Sequence, residues 1–309
     1  MSVRRAFPIA LPFPFTIRLG ARSFRALGDR TKTETGIPAL FVHATSFCAD
    51  TWAPVIGAAR DAGWRGASTA VDQRGHGRSD PVREARDCEW PRLVGDVAGL
   101  AQEVAREAGA ETLLLVGHSS GASVCLAAAG QRPELVRGLV LVEPTLFDPP
   151  AVQGGDSFLG SGALAASARR RRSRFADRAE ASECLRKRFP YSGFAPESFE
   201  AYLDGGLIAG PDADGGLSLA CTPDCEAWMY EGAGSLDVWP LSEKVRAPIL
   251  LVLGEHTAVP RAMRDRVEAG AAPVRIETIA GGTHFTALES PAAVGRALAR
   301  FALSLERAP

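Results

Sequence analysis

Two residues far apart along the chain have the types a covalent hydrolysis needs, a hydroxyl and an imidazole. Ser119 is the centre of Gly117-His118-Ser119-Ser120-Gly121, a G-x-S-x-G pattern. Four apolar residues, 113–116, precede it, and the small apolar stretch 122–130, free of proline, follows it. That order reads as buried strand, very tight turn, helix. A turn so sharp pushes backbones together, and only a residue without a Cβ fits on either side of the serine. The hydroxyl then projects above the sheet edge. A serine hydroxyl is a poor nucleophile until a base takes its proton. His284 is the best base: its glycine-rich loop, Ala280-Gly281-Gly282-Thr283-His284-Phe285, can carry the ring back to Ser119.

The elements that must position these residues follow from the apolar spacing. Residues 15–19 and 23–27 alternate around Gly20 and predict an antiparallel hairpin. Residues 29–36 read as a polar turn. Strands are expected at 39–42, 66–71, 113–116, 138–142, 248–253 and 274–279, those at 39–42 and 113–116 buried. Helices are expected at 49–62 (with Pro54 in the first turn), 93–108, after Ser119, near 261–269, and after Pro291. Strands alternating with helices imply a mostly parallel, doubly wound α/β sheet. From about 145 to 243 the alternation stops. This stretch holds Gly-Gly pairs, the basic run 169–172 and eleven aromatic residues, Phe158 among them. It reads as an inserted helical cap, with the arginines on a solvated face. The expected organisation is a core of 1–144 and 244–309 with a cap over 145–243.

Composition narrows the function classes. The 309 residues are 46% hydrophobic with a formal net charge of −1, so a large core is available and a nucleic-acid binder is not indicated. Arg4-Arg5 ahead of an apolar stretch loosely imitates an export signal, but Pro8, Pro12 and Pro14 interrupt it, so a cytoplasmic protein is expected. No stretch is long and apolar enough for a membrane span. The six cysteines include no C-x-x-C pair and read as reduced thiols. Cys221 and Cys225 lack a matching His/Cys pair, and the five histidines lack metal-ligand spacing, so no metal is expected.

Four segments together resemble the α/β-hydrolase superfamily over nearly the whole chain. They are His43-Ala44-Thr45 in place of the usual His-Gly-x, Asp72-x-Arg74-Gly75-His76-Gly77-x-Ser79, the Ser119 pentapeptide, and Gly282-x-His284-Phe285. The resemblance implies a doubly wound, mostly parallel eight-stranded sheet with a helical cap, a Ser–acid–His triad and no cofactor. It places the acid in Gly-x-x-Asp after the 248–253 strand, where this chain has Thr257. Some members carry it after the preceding strand instead, where this chain has Glu143. A carboxylate there would need a partner to offset desolvation, and an imidazolium on His284 supplies one. Glu143 is therefore favoured, with Glu255 the rival and Asp148 a distant third. The oxyanion donors are expected to be the N–H groups of Ser120 and Thr45, with Ser46 next in line.

His118 is expected to point away from Ser119, and His43 and His76 to brace their loops. Phe47, His118, Trp228 and Phe285 are the pocket candidates. The expected activity is hydrolysis of a small-molecule carboxylic ester or lactone through an acyl-enzyme. Hydrolysis of a diketone-type carbon–carbon bond by the same triad is the alternative, and a binding protein on the scaffold is the alternative of another class. Epoxide hydrolases and haloalkane dehalogenases of this type use a carboxylate nucleophile, which Ser119 disfavours. A homodimer is left open.

Overall fold

The computed structural model describes residues 13–28, 36–146, 162–210 and 215–307. The N-terminal stretch 1–12, most of the 29–36 turn, Asp148, Gly154-Gly155 and Phe158 lie outside the described residues.

The chain opens with the hairpin of β1 (Phe13–Leu19) and β2 (Arg22–Gly28), paired antiparallel as expected. Next come β3 (Gly36–Val42), α1 (Ala53–Asp61), β4 (Gly66–Val71), α2 (Trp90–Ala108), β5 (Leu113–His118), α3 (Ser120–Gln131) and β6 (Val136–Val142). The expected helix over 49–62 is divided. Ala49–Trp52 is a 3-10 turn, and the α-helix begins at Ala53 with Pro54 in its first turn. There the missing N–H would have been an unbonded donor anyway. Pro91 plays the same part in α2, which starts at Trp90 and stops at Gly109, a left-handed cap with φ 66°.

After β6 the chain leaves the sheet. It forms α4 (Ala163–Arg169), β7 (Arg174–Phe175), α5 (Arg178–Arg186), α6 (Pro196–Gly206), β8 (Leu207–Ala209), β9 (Leu217–Leu219), α7 (Pro223–Glu231) and α8 (Trp239–Ser242). It re-enters the sheet at β10 (Ile249–Gly254). Then follow α9 (Arg261–Glu268), β11 (Val274–Ile279), α10 (Thr286–Glu289) and α11 (Pro291–Glu306).

The main sheet has eight strands in the order β1-β2-β4-β3-β5-β6-β10-β11, parallel from β4 to β11. Its central strands are apolar on both faces. Leu113, Leu115, Leu139, Leu141, Leu251 and Leu253 join one layer with α2 and α3. Leu114, Val116, Val140, Val142, Leu250 and Val252 join the other with α1 and α11. Each side chain so buried contributes about 1.5–3 kcal/mol, which makes the sheet a rigid platform for the loops at its carboxyl edge.

The stretch expected to be a helical cap also holds a three-stranded antiparallel sheet, β7-β9-β8. Strands of two or three residues are too short to leave a readable alternation. The aromatic residues pack this segment onto the main sheet's loops: Phe175, Tyr191, Phe194, Phe199 and Tyr202 share one buried cluster with Ala44, Phe47 and Leu288. The basic run is not uniformly solvated. Arg169 pairs with Glu231 and Arg172 with Glu180 at the surface, but Arg171 turns inward to Glu226 and donates to Tyr191 Oη at 2.7 Å. Among the described residues no helix is long and apolar enough to cross a membrane.

Candidate active site

Ser119 sits between β5 and α3 with φ 54° and ψ −121°. A residue with a Cβ adopts this region only under strain. The flanking glycines explain how the turn is held. A Cβ on Gly121 would lie 2.4 Å from His43 O and 2.5 Å from Val42 O, and one on Gly117 would lie 2.5 Å from Ala122 Cα. Among the described residues only three non-glycine residues have positive φ: Ser119, Ser46 (75°) and Glu143 (46°). All three stand at the carboxyl edge of the central strands.

His284 reaches this edge from the loop after β11. The loop is fastened to the end of β10, with His256 N–H on Gly282 O at 2.8 Å, and to α10, with Thr283 N–H on Glu289 Oε2 at 2.8 Å. Gly282 can approach because Gly254 has no side chain; a Cβ there would lie 2.3 Å from Gly282 O. His284 Nε2 stands 2.8 Å from Ser119 Oγ, the distance for proton transfer from hydroxyl to ring. The chain separates the two residues by 165 positions, and the loop closes that gap.

Glu143 lies behind the ring. Its carboxylate is fully buried, and Oε2 is 3.6 Å from His284 Nδ1, an ion-pair distance once the ring is charged and longer than a hydrogen bond. Desolvation is offset by two donors, Gly254 N–H to Oε1 at 2.7 Å and Thr257 Oγ1 to Oε2 at 2.9 Å. Glu255, the rival, is exposed and accepts from Gly281 N–H at 2.8 Å, on the outside of the His284 loop.

The two expected oxyanion residues meet, with a difference. Thr45 N–H donates to Ser120 Oγ at 3.0 Å, and the two hydroxyls are also 3.0 Å apart. Ser46 N–H is taken by His76 Nε2 at 3.0 Å. Ser120 N–H opens α3, where no earlier turn supplies an acceptor.

His118 turns away from Ser119 and donates from Nε2 to His284 O at 2.8 Å. Burial, helped by the neighbouring His284 ring, lowers it to about 3, so it stays neutral and serves as a peg for the His284 loop. His43 is likewise held well below its ordinary value by burial; its Nε2 accepts Gln73 N–H at 3.0 Å. Asp72 accepts from Ala49 N–H at 2.7 Å and Arg78 N–H at 3.0 Å, and a Cβ on Gly77 would strike its carboxylate. The Asp72–Ser79 segment therefore braces the Thr45 loop rather than touching the reacting atoms.

Of the pocket candidates, Phe47, His118 and Phe285 converge: Phe47 stacks on His118 at 6.3 Å, and Phe285 meets both edge-on. Trp228 does not join them. It packs on the α2–α3 layer, because it stands on α7, which lies against the turn Ala85–Cys88. Sequence reasoning missed Thr145, whose hydroxyl is 3.0 Å from Ser119 Oγ, and no pattern pointed to it. Thr257 had a signal, since it occupies the position the resemblance reserves for an aspartate.

The model of the alpha/beta hydrolase family matches residues 39–297, most of the chain. The chain belongs to the alpha/beta hydrolase family. This alpha/beta hydrolase is 27% identical over 267 residues to a 2-(acetamidomethylene)succinate hydrolase of Mesorhizobium japonicum, spanning 85% of this chain and 86% of the relative. The crystal structure of an E-2-(acetamidomethylene)succinate hydrolase superposes with a TM-score of 0.75 at 25% identity, covering 94% of this chain and 98% of the other. An epoxide hydrolase B of Mycobacterium tuberculosis is 33% identical over 115 residues, 37% of this chain and 31% of the relative.

Proposed function

We propose that this hydrolase cleaves a carboxylic ester or lactone through an acyl-enzyme on Ser119. The observation that carries the reading is the 2.8 Å contact between Ser119 Oγ and His284 Nε2, with the Glu143 carboxylate behind the ring. Ser119 Oγ attacks the carbonyl carbon while His284 Nε2 takes its proton. Glu143 stabilises the imidazolium and keeps the ring in place. The carbonyl oxygen, now anionic, is received by Ser120 N–H and by Thr45 N–H, which exchanges Ser120 Oγ for it. Each such donor is worth about 3–4 kcal/mol in the transition state. The tetrahedral adduct collapses, and His284 gives its proton to the leaving alkoxide. Water then attacks the acyl carbonyl, His284 taking one proton from it, and Ser119 is regenerated. The Phe47–His118–Phe285 group offers the acyl part an apolar wall, with the aromatic residues Tyr191, Phe194 and Tyr202 packed over it as part of a lid.

A second reading, hydrolysis of an acyl C–N bond, is favoured by the likeness to the 2-(acetamidomethylene)succinate hydrolase over 85% of this chain. It uses the same atoms, with His284 protonating a leaving nitrogen.

The test is stoichiometric labelling with a fluorophosphonate, mapped to the Ser119 peptide and abolished by Ser119→Ala, together with a turnover panel. The panel holds p-nitrophenyl esters of graded chain length, lactones and N-acyl enamines. Ester or lactone turnover that disappears with Ser119→Ala supports the leading reading, and turnover confined to the enamines moves it to the second. No labelling and no turnover would overturn both in favour of a binding protein.

A further inference from the structure

Four side chains that the triad does not use meet at the joint between the main sheet and the 145–243 segment. His76 comes from the loop after β4, Cys221 from just before α7, and Cys225 from the first turn of α7. All three are buried, and their donor atoms lie within 4.8 Å of one another. Cys88, fully buried, ends the turn Ala85–Cys88 that packs against α7, just outside that 4.8 Å group. We propose that this cluster is a structural zinc site, with His76, Cys221 and Cys225 as ligands and Cys88 completing the tetrahedron.

The chemistry of the donor set supports this. Thiolates and a neutral imidazole are the ligands of closed tetrahedral zinc sites. The edge of a zinc–thiolate tetrahedron is about 3.8 Å, so the three donor atoms need to close by at most about 1 Å. Cys225 Sγ–H donates to Gly75 O at 3.5 Å, which turns the sulfur toward the loop that carries His76.

The imidazole is also set up for ligation. Ser46 N–H donates to His76 Nε2 at 3.0 Å, so the ring proton sits on Nδ1, which donates to Arg74 O at 3.0 Å. A ring N–H on a backbone carbonyl, with the lone pair on the other nitrogen, is the usual arrangement of a ligating histidine. Zinc at Nε2 displaces Ser46 N–H, beside Thr45. Gly75 leaves room for the sulfur, since a Cβ there would lie 2.6 Å from Cys225 Sγ. Each thiol loses its proton to buffer on binding, and no electron changes hands. The sequence shows none of this, because the ligands come from three separate stretches and only Cys221 and Cys225 are neighbours along the chain. A clamp here ties α7 to the loop that braces the Thr45 segment. The proposal stands apart from the triad reading.

The test uses the full chain under reducing conditions, loaded with zinc, dialysed against metal-free buffer and assayed by elemental analysis. One zinc per chain is expected, with a thiolate-to-metal charge-transfer band on cobalt replacement and a raised unfolding temperature. Cys221→Ser and Cys225→Ser each weaken zinc retention at least about tenfold, while Cys184→Ser, outside the cluster, retains it. Should either variant fail to fold, Cys88→Ser is titrated with zinc, and a Kd weakened by about tenfold or more carries the same weight. Wild-type protein that retains no zinc overturns the proposal. So does Cys221→Ser with wild-type zinc content, or a disulfide among Cys88, Cys221 and Cys225 found by peptide mapping of the protein as purified.

Discussion

Thr257 Oγ1 donates a hydrogen bond of 2.9 Å to Glu143 Oε2. The position that the family resemblance reserves for the triad acid is thus a hydroxyl serving a carboxylate from the neighbouring strand. β6 and β10 are adjacent and parallel, with Val142 opposite Val252, so residues just past their ends face the same ring from two sides. Moving the acid from one strand end to the other keeps its approach to His284 and leaves a short polar residue to fill the old place.

That exchange makes a specific prediction. Glu143→Gln keeps the shape but cannot stabilise the imidazolium, so kcat falls by about 10³–10⁴ while KM changes little. Glu255→Gln, on the exposed side of the loop, changes turnover by no more than about twofold. Thr257→Val removes one hydrogen bond to a charged oxygen, about 1.5–3 kcal/mol, and lowers kcat by roughly tenfold or more. The double variant Glu143→Gln/Thr257→Asp regains at least about tenfold over Glu143→Gln, because a carboxylate is restored beside the ring. Steady-state kinetics on the four proteins decide it. A Glu143→Gln enzyme with normal turnover would move the acid elsewhere.

The elbow glycines give a stability prediction. In Gly121→Ala the new Cβ would meet His43 O at 2.4 Å and Val42 O at 2.5 Å, both backbone atoms that cannot swing aside. The strain costs at least about 1–3 kcal/mol and pushes the Thr45 loop off α3. Urea unfolding is expected to show a lower midpoint with unchanged m, and activity is expected to fall further than the stability loss explains. Unchanged stability would mean the turn can relax, against the close approach that the structure shows.

The elbow was legible because sterics leave a sharp strand–turn–helix few solutions, and glycines must appear where backbones touch. His284 was legible for a related reason, since its loop needs Gly282 to pass Gly254. Ser120 Oγ on Thr45 N–H, Thr145 beside Ser119 and the inward turn of Arg171 were not. Each depends on which of several polar neighbours a side chain selects in three dimensions, a choice no local spacing encodes. The strands β7, β8 and β9 were lost to brevity.

Stability should depend on pH through the buried imidazoles. His118 is lowered to about 3 and His43 well below its usual value, both first of all by burial. Above an unfolded-state pKa of about 6.5 neither state binds the proton, and their contribution to stability is complete. As pH falls below that value the unfolded chain takes up protons that the folded chain refuses. Each histidine then costs about 1.4 kcal/mol per pH unit until the pH reaches its folded-state pKa, about 3 for His118. Urea midpoints measured between pH 7 and 4 should therefore fall. In His118→Gln, which keeps a donor for His284 O, the fall should be shallower by one histidine's share. An identical slope in the variant would show that His118 does not stay neutral in the fold.

In the proposed mechanism the hydroxyl of Ser120 occupies a donor that the transition state needs. Thr45 N–H is bonded to Ser120 Oγ in the free protein, so an oxyanion arriving there must displace a neutral hydrogen bond worth about 0.5–1.5 kcal/mol. Ser120→Ala removes the competitor and leaves the backbone N–H of residue 120 in place. The expected result is a kcat/KM raised by about two- to tenfold, with a transition-state analogue such as a boronic acid binding more tightly by a similar factor. The Thr45 hydroxyl also loses its partner, so Thr45→Val serves as the comparison: it deletes that hydroxyl alone, leaves Ser120 Oγ on Thr45 N–H, and should not raise kcat/KM. A loss of about 10²-fold or more in Ser120→Ala would reverse the assignment. It would mean that the serine hydroxyl is itself the second donor to the oxyanion and that Thr45 N–H only holds it in position.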